Sequence, residues 1–273
     1  MNTLVQRNIN SMRLTLLGIL CALSSYKVTA QTVEARIDTL LNKMTMEEKI
    51  LQLHQEGSMN TTNNARLGIP GFVMADGPHG VRDDNGSSAT SFPVGIGMAS
   101  SWDIELVQRI GEAMGKEFRG KGKHQALGPC LDIDRDPRNG RSPETGGEDP
   151  YLCAQITTAV VNGIQSTPCI ATIKHYNANH RENGRTTNNI NAARRVLNEP
   201  AGLAFRTAVQ RGGAMCVMNA YNRINGEWCA ENYTLLTTIL RTQWGFPFYV
   251  VSDWGSIVHS DLAIKAGCDI CMG

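Results

Sequence analysis

Two spacings of apolar residues alternate along the chain. One repeats every three or four positions, as at Ile37, Leu40, Leu41 and Met44; the other is a short unbroken run rich in β-branched residues, as in Phe72 to Ala75. The first is one face of a helix, and the second is a strand buried on both faces. On this pattern helices are predicted over Val33 to Gln55, Asp103 to Arg119, Tyr151 to Gln165, Ala192 to Arg211 and Tyr233 to Trp244. A capping box, Thr45-Met46-Glu47-Glu48, restarts the first of them. Strands are predicted over Phe72 to Ala75, Gln125 to Ile133, Ile170 to Ile173, Ala214 to Asn219 and Phe248 to Ser252. Strand followed by helix, five or six times with no internal repeat and no linker, predicts one α/β domain on a parallel sheet.

Two architectures have that order. A doubly wound sheet would open its first helix with a glycine fingerprint for a nucleotide. Gly95-Ile96-Gly97-Met98-Ala99-Ser100 lacks the third glycine and follows no strand run, so no nucleotide cofactor is expected. The (β/α)8 barrel of TIM type remains, with its function on the loops at the C-terminal strand ends. Five or six units fall short of eight strands, so the barrel is expected to be incomplete at its C-terminal end, with sheet edges left unpaired.

Composition narrows the partner. Lys plus Arg total 26 against 25 for Asp plus Glu, which gives no field to draw nucleic acid or an anionic membrane. Arg13, the apolar run Leu14 to Leu23 and the small-residue pattern Val28-Thr29-Ala30 predict a secretory signal over residues 1–30, too short for a membrane span. A secreted or periplasmic location follows, with residues 31–273 as the working domain. Seven cysteines lie beyond that signal, several within apolar runs such as Ala214 to Met218, where they pack as small hydrophobes. Cys268 and Cys271 have metal-ligand spacing but no second pair to complete four ligands, so no metal is expected.

Every predicted strand ends in a polar cluster: Asp76 to Gly80, Asp132 to Asp136, Lys174 to Asn177, Asn219 to Asn222, and Ser252 to Trp254. Polar strand ends alone mark only turns. A barrel, however, would gather all five at one mouth, and a lysine and histidine directly after an apolar run need a partner or a task. Asp253 beside Trp254 suits a sugar, since the indole offers a stacking face and the carboxylate stabilises or attacks a developing cation.

These runs resemble glycoside hydrolase family 3. The resemblance rests on Ala75-Asp76-Gly77-Pro78-His79-Gly80-Val81-Arg82, Arg135-Asp136-Pro137-Arg138 with Gly140-Arg141, Gly147-Glu148-Asp149-Pro150-Tyr151-Leu152, Lys174-His175, Ala220-Tyr221-Asn222 with Asn225-Gly226, and Val250 to Trp254, in that order. It implies a retaining β-glucosidase-type hydrolase in which Asp253 is the nucleophile. Asp76, Arg141, Lys174 and His175 would bind the sugar hydroxyls, and Met218, Tyr221 and Trp254 would line the pocket. The implied partner is a small oligosaccharide or glycoside.

The chain departs from that family pattern at Asn139 and Gly146, at Pro247-Phe248, and at Pro200-Ala201-Gly202, which interrupts a helix. The family's proton-donating glutamate comes from a second α/β domain that the resemblance places beyond Gly273. Within residues 31–273, Glu144, Glu148 and Glu182 are the available acids. A branch that uses an Asp–His pair carries a different run after Lys174-His175, and Tyr176 to His180 does not match it. Two readings result: part of a glycosidase completed by a further domain, or a carbohydrate-binding chain without turnover.

Overall fold

Strand and helix alternate as the apolar spacing predicts, around a parallel sheet of five strands. The computed structural model describes residues 32–82 and 86–273, so the expected export signal over residues 1–30 lies outside the described residues. The chain divides into two compact units, Met1–Met44 and Thr45–Gly273. The described part of the first is the helix Val33–Lys43, capped by the Thr32 hydroxyl, which accepts from the Ala35 amide at 3.2 Å.

The second unit opens on the predicted capping box. The Thr45 hydroxyl accepts from the Glu48 amide at 3.2 Å and a Glu48 carboxylate oxygen accepts from the Thr45 amide at 2.9 Å. The helix it starts, Met46–Leu51, ends sooner than predicted, and a hairpin of two-residue arms, Gln55–Glu56 and Asn60–Thr61, follows. The sheet strands are β1 (Met74–Asp76), β2 (Gln125–Leu127), β3 (Ile170–Tyr176), β4 (Cys216–Asn219) and β5 (Tyr249–Val251). They pair in chain order, all parallel.

The principal helices are α1 (Ile104–Gly120), α2 (Pro150–Gln165) and α3 (Leu203–Gln210). Asp103 and Asp149 cap α1 and α2 by accepting from Leu106 and Leu152 amides. α1 and α2 meet at glycines: a Cβ on Gly163 would stand 2.2 Å from the Gln108 carbonyl oxygen of α1. The segment predicted as one helix over Ala192 to Arg211 is two, Arg194–Asn198 and α3. They are separated where Pro200 removes a donor and Gly202 packs against the Leu197 carbonyl.

The edges expected to be open are occupied. Ser252 N donates to Ile270 O at 2.9 Å and Ile270 N to Val250 O at 3.1 Å, which lays segment 269–272 along β5. Cys271 N donates to Leu53 O at 2.9 Å and Gln55 N to Cys271 O at 3.1 Å, which carries that segment to the hairpin. Met74 N to Met59 O at 2.7 Å and Thr61 N to Phe72 O at 3.0 Å then join the hairpin to β1. The five strands alone are not a closed barrel. After β5 the helix Ser260–Ala266 leads into the parallel segment 269–272, and the antiparallel hairpin joins that segment to β1.

The core follows from this arrangement. Phe118, Ile156, Ile164, Ile173, Tyr176 and Phe205 are fully buried between helices and sheet, with Phe205 and Trp244 edge-on to Tyr176 at 5.1 and 5.6 Å. The cysteines behave as predicted for packed apolar residues: Cys130, Cys153, Cys169, Cys216, Cys229 and Cys268 are buried and free, and Cys271 is half-buried and free. No helix among the described residues is long and apolar enough to cross a membrane.

Candidate active site

The C-terminal ends of the five strands set out the polar side chains. Asp76 closes β1, Lys174 and His175 lie inside β3, Met218 lies in β4, and Asp253 follows β5 by two residues. Lys174 and His175 were expected after the strand, yet β3 continues through them to Tyr176, because each is matched by a carboxylate from a neighbouring strand end. Lys174 Nζ donates to Asp76 Oδ1 at 3.1 Å, with the lysine side chain only 4% exposed. The His175 amide and ring Nδ1 both reach Asp132 Oδ2, at 3.0 and 2.8 Å.

All eight residues singled out in the sequence line one cavity of about 410 Å3: Asp76, Arg141, Lys174, His175, Met218, Tyr221, Asp253 and Trp254. Met59, Arg82 and Arg185 complete its wall and were not among the sequence-derived site residues. Arg82 lies in the motif that follows Asp76 and reaches Asp76 Oδ2 at 3.3 Å. Arg185 stands on a loop with no apolar period, three residues from Glu182, its ion-pair partner at 2.8 Å. Met59 comes from the turn of the hairpin, for which no run of apolar residues signals a strand.

Asp253 is the more buried of the two carboxylates that line the cavity. Its Oδ1 accepts from the Trp254 amide at 2.9 Å, while its buried Oδ2 receives no hydrogen bond and stands 3.8 Å from His175 Nε2. Burial raises its pKa above the usual carboxylate value, opposed by the Lys174 and Arg141 charges and by the Trp254 amide. Asp76 moves the other way. Burial again acts to raise it, but the Lys174, Arg82 and Arg141 charges prevail and hold it below its ordinary value. His175 is pushed far down by burial and by the Arg141, Lys174 and Arg185 cations, so its imidazole is neutral. Burial pushes Asp132 up to about 7, against the His175 amide and the Arg141 charge.

The loop that follows Asp253 is tied down at several points. Trp254 Nε1 donates to Ser58 O at 2.8 Å, and the Tyr221 hydroxyl donates to Trp254 O at 2.8 Å. Asn219 Nδ2 donates to Ser256 Oγ at 2.9 Å, and Glu231 accepts from the Val258 and His259 amides. The indole and the carboxylate are therefore fixed relative to β4 and to the hairpin.

The three acids considered for proton donation do not stand free in this cavity. Glu144 is held by Arg141 at 2.9 and 3.1 Å, and Glu182 by Asn179 and Arg185 at 2.9 and 2.8 Å. Glu148 is exposed and is not part of the cavity wall. Cys130, Asp132 and His175 present donor atoms within 4.8 Å of one another, a set of the kind zinc accepts. Those atoms already bond each other, since Cys130 Sγ lies 3.5 Å from the same Asp132 oxygen that takes His175.

A carboxylate set in the wall of a cavity with cations, an indole and a phenol is an arrangement for a polyhydroxylated substrate. The glycosyl hydrolase family 3 N-terminal domain matches residues 22–273. The chain belongs to glycosyl hydrolase family 3. Among its family 3 relatives, thermostable β-glucosidase B of Acetivibrio thermocellus is 38% identical over 246 residues, 86% of this chain and 33% of that protein. An exo-α-(1→6)-L-arabinopyranosidase of Bifidobacterium breve is 36% identical over 240 residues, 84% of this chain and 32% of that protein. Among solved family 3 structures, β-glucosidase 3B of Thermotoga neapolitana in complex with glucose aligns with a TM-score of 0.84 at 36% identity, covering 86% of this chain and 36% of that one. β-Glucosidase of Kluyveromyces marxianus in complex with glucose gives 0.85 at 37% identity, covering 87% and 29%. The chain thus spans about a third of the length of these relatives. Its fold is the TIM-barrel-like family 3 domain.

Proposed function

We propose that the chain supplies the sugar pocket and the nucleophile of a retaining, exo-acting β-glucosidase. The observation that carries this reading is the Asp253 carboxylate in the wall of a cavity that also holds Asp76, Arg141, Lys174, His175 and Trp254. In the reaction, a carboxylate oxygen of Asp253 forms a bond to the anomeric carbon as the glycosidic C–O bond breaks, giving a glycosyl–Asp253 ester that water then opens with net retention. Burial raises the Asp253 pKa, and the Lys174 and Arg141 charges and the Trp254 amide oppose that rise in favour of the carboxylate. Asp76, Arg141, Lys174 and His175 grip the hydroxyls, Trp254 gives the stacking face, and Met218 and Tyr221 close the sides.

The leaving oxygen needs a proton from a second carboxyl about 5–5.5 Å from the nucleophile. With Glu144 and Glu182 each held by an arginine, that acid comes from a further domain of the kind that makes up the remaining length of the relatives. A glycoside with a leaving group acidic enough to depart unaided tests the nucleophile without the acid. After incubation with 2,4-dinitrophenyl 2-deoxy-2-fluoro-β-glucoside, mass spectrometry is expected to find one fluoroglucosyl adduct on the peptide that contains Asp253. An adduct on another residue, or binding of the reagent without an adduct, overturns the nucleophile assignment; the second result supports a sugar-binding chain without turnover.

A further inference from the structure

We propose that Asp132 is a positioning residue for the nucleophile: by taking the Nδ1 proton of His175 it fixes the ring tautomer that turns a lone pair, and not an N–H donor, towards Asp253. The inference rests on the reading of Asp253 as nucleophile and adds to it a residue that is not part of the cavity wall.

Asp132 lies in the segment after β2 and is 3% exposed. Its Oδ2 accepts from the His175 amide at 3.0 Å and stands 2.8 Å from His175 Nδ1, with Cys130 Sγ at 3.5 Å. Its Oδ1 accepts from the Asn179 amide at 3.1 Å. A backbone amide thus aims a proton at each oxygen and favours the carboxylate, against the burial that pushes its pKa up to about 7. An ionised carboxylate can only accept, so the ring nitrogen beside it carries the proton. Burial and the Arg141, Lys174 and Arg185 cations keep the imidazole neutral, with one ring proton in all. Nε2 is therefore bare.

Nε2 stands 3.8 Å from Asp253 Oδ2. A lone pair facing a carboxylate oxygen makes no hydrogen bond, and Oδ2 accordingly has no partner. In the other tautomer a small movement of the ring would let Nε2 donate to Oδ2. Such a bond to a charged acceptor stabilises the carboxylate and weakens its attack on carbon. Asp132 withholds that donor through His175. The Trp254 amide on Oδ1, at 2.9 Å, remains as the direct hydrogen bond to Asp253.

Nitrogen-15 NMR of the histidine-labelled chain at about pH 8, above the Asp132 pKa, reads the tautomer, because protonated and bare ring nitrogens resonate far apart. The spectrum of His175→Gln identifies the signals that belong to His175. The parent is expected to show Nδ1 protonated and Nε2 bare. Asp132→Leu removes the acceptor at similar volume. It is expected to move the proton to Nε2 and to slow formation of the fluoroglucosyl adduct about tenfold at saturating reagent, the size of one hydrogen bond to a charged group. Where the leucine variant does not fold, the parent spectrum still decides, since a proton on Nε2 there overturns the proposal. A folded leucine variant that is less stable but keeps the parent tautomer and adduct rate shows a structural role only and also overturns it. Absence of an adduct in the parent overturns the nucleophile reading, and this role with it; an adduct formed by a parent with the reverse tautomer overturns this role alone.

Discussion

The Arg185 guanidinium lies over the ring of Tyr221, with its central carbon 4.3 Å from the ring centre. Tyr221 in turn donates to the Trp254 carbonyl, next to Asp253, while Glu182 holds Arg185 and Asn179 holds Glu182. Arg185 thereby acts on the Asp253–Trp254 loop through the tyrosine. Arg185→Ala is expected to weaken glucose binding by about 1 kcal/mol, the size of a half-exposed cation–π contact. Calorimetry that finds wild-type affinity in this variant removes the relationship from the site.

Asp253→Asn should abolish formation of the fluoroglucosyl adduct and at the same time raise the melting temperature near neutral pH. Burial raises the Asp253 pKa, so the ionised carboxylate opposes the fold, and a neutral amide of the same shape relieves it. A variant that is inactive but less stable than its parent contradicts this account.

Lys174 is the central cation of the cavity. Lys174→Met leaves Asp76 with the Arg82 ion pair and the Arg141 charge, and removes a charge that favours the Asp253 carboxylate. The expected loss in unfolding free energy is about 2 kcal/mol, below the range for a fully buried pair because Asp76 keeps some solvent and a second cation. Denaturant unfolding measures it, and a variant as stable as the parent would mean that the pair contributes nothing net.

His180 offers a titration outside the cavity. Burial, aided by the Arg135 charge, pushes its pKa down from 6.5 to about 4. The folded chain therefore keeps this imidazole neutral where the unfolded chain protonates it, so its contribution to stability is complete above pH 6.5 and is lost as pH falls towards 4. Asp132, with its pKa pushed up to about 7, works in the opposite sense, losing stability as pH rises towards that value. Comparing urea midpoints of the parent and His180→Gln between pH 7 and 4.5 isolates the histidine. The variant is expected to lose less on acidification, and parallel curves would refute the assignment.

Gly163→Ala tests the helix crossing. The added methyl meets the Gln108 carbonyl and the Glu112 amide of α1, all backbone, so the helices must separate. A cost of about 1–3 kcal/mol in chemical denaturation is expected, with sugar affinity preserved. A neutral effect would show that the two helices can shift apart freely.

The apolar spacing located all five strands and the principal helices because a buried parallel strand and an amphipathic helix write their burial into consecutive residues. Two-residue strands write almost nothing. The hairpin arms Gln55–Glu56 and Asn60–Thr61 are mostly polar, and their pairing depends on Cys271 and Phe72, which lie far off in sequence. The extension of β3 through Lys174 and His175 was hidden for a similar reason: a buried lysine and histidine are stable there only because Asp76 and Asp132 arrive from β1 and from the segment after β2. Arg185 was missed because its value to the site lies in a ring it covers, and no spacing rule links residues 185 and 221.

The backbone contacts that join segment 269–272 to the hairpin have a temporal meaning. Trp254 Nε1 reaches Ser58 O, and Cys271 reaches Leu53, across some of the longest separations in the chain, and closing such loops is slow compared with forming the local strand–helix units. During synthesis, β1 to β4 can assemble while residues around 250 to 272 are still inside the ribosome. The pocket acquires Asp253 and its tryptophan only when residues 250–272 thread between β5 and the hairpin, so maturation of the sheet and arrival of that carboxylate are one event.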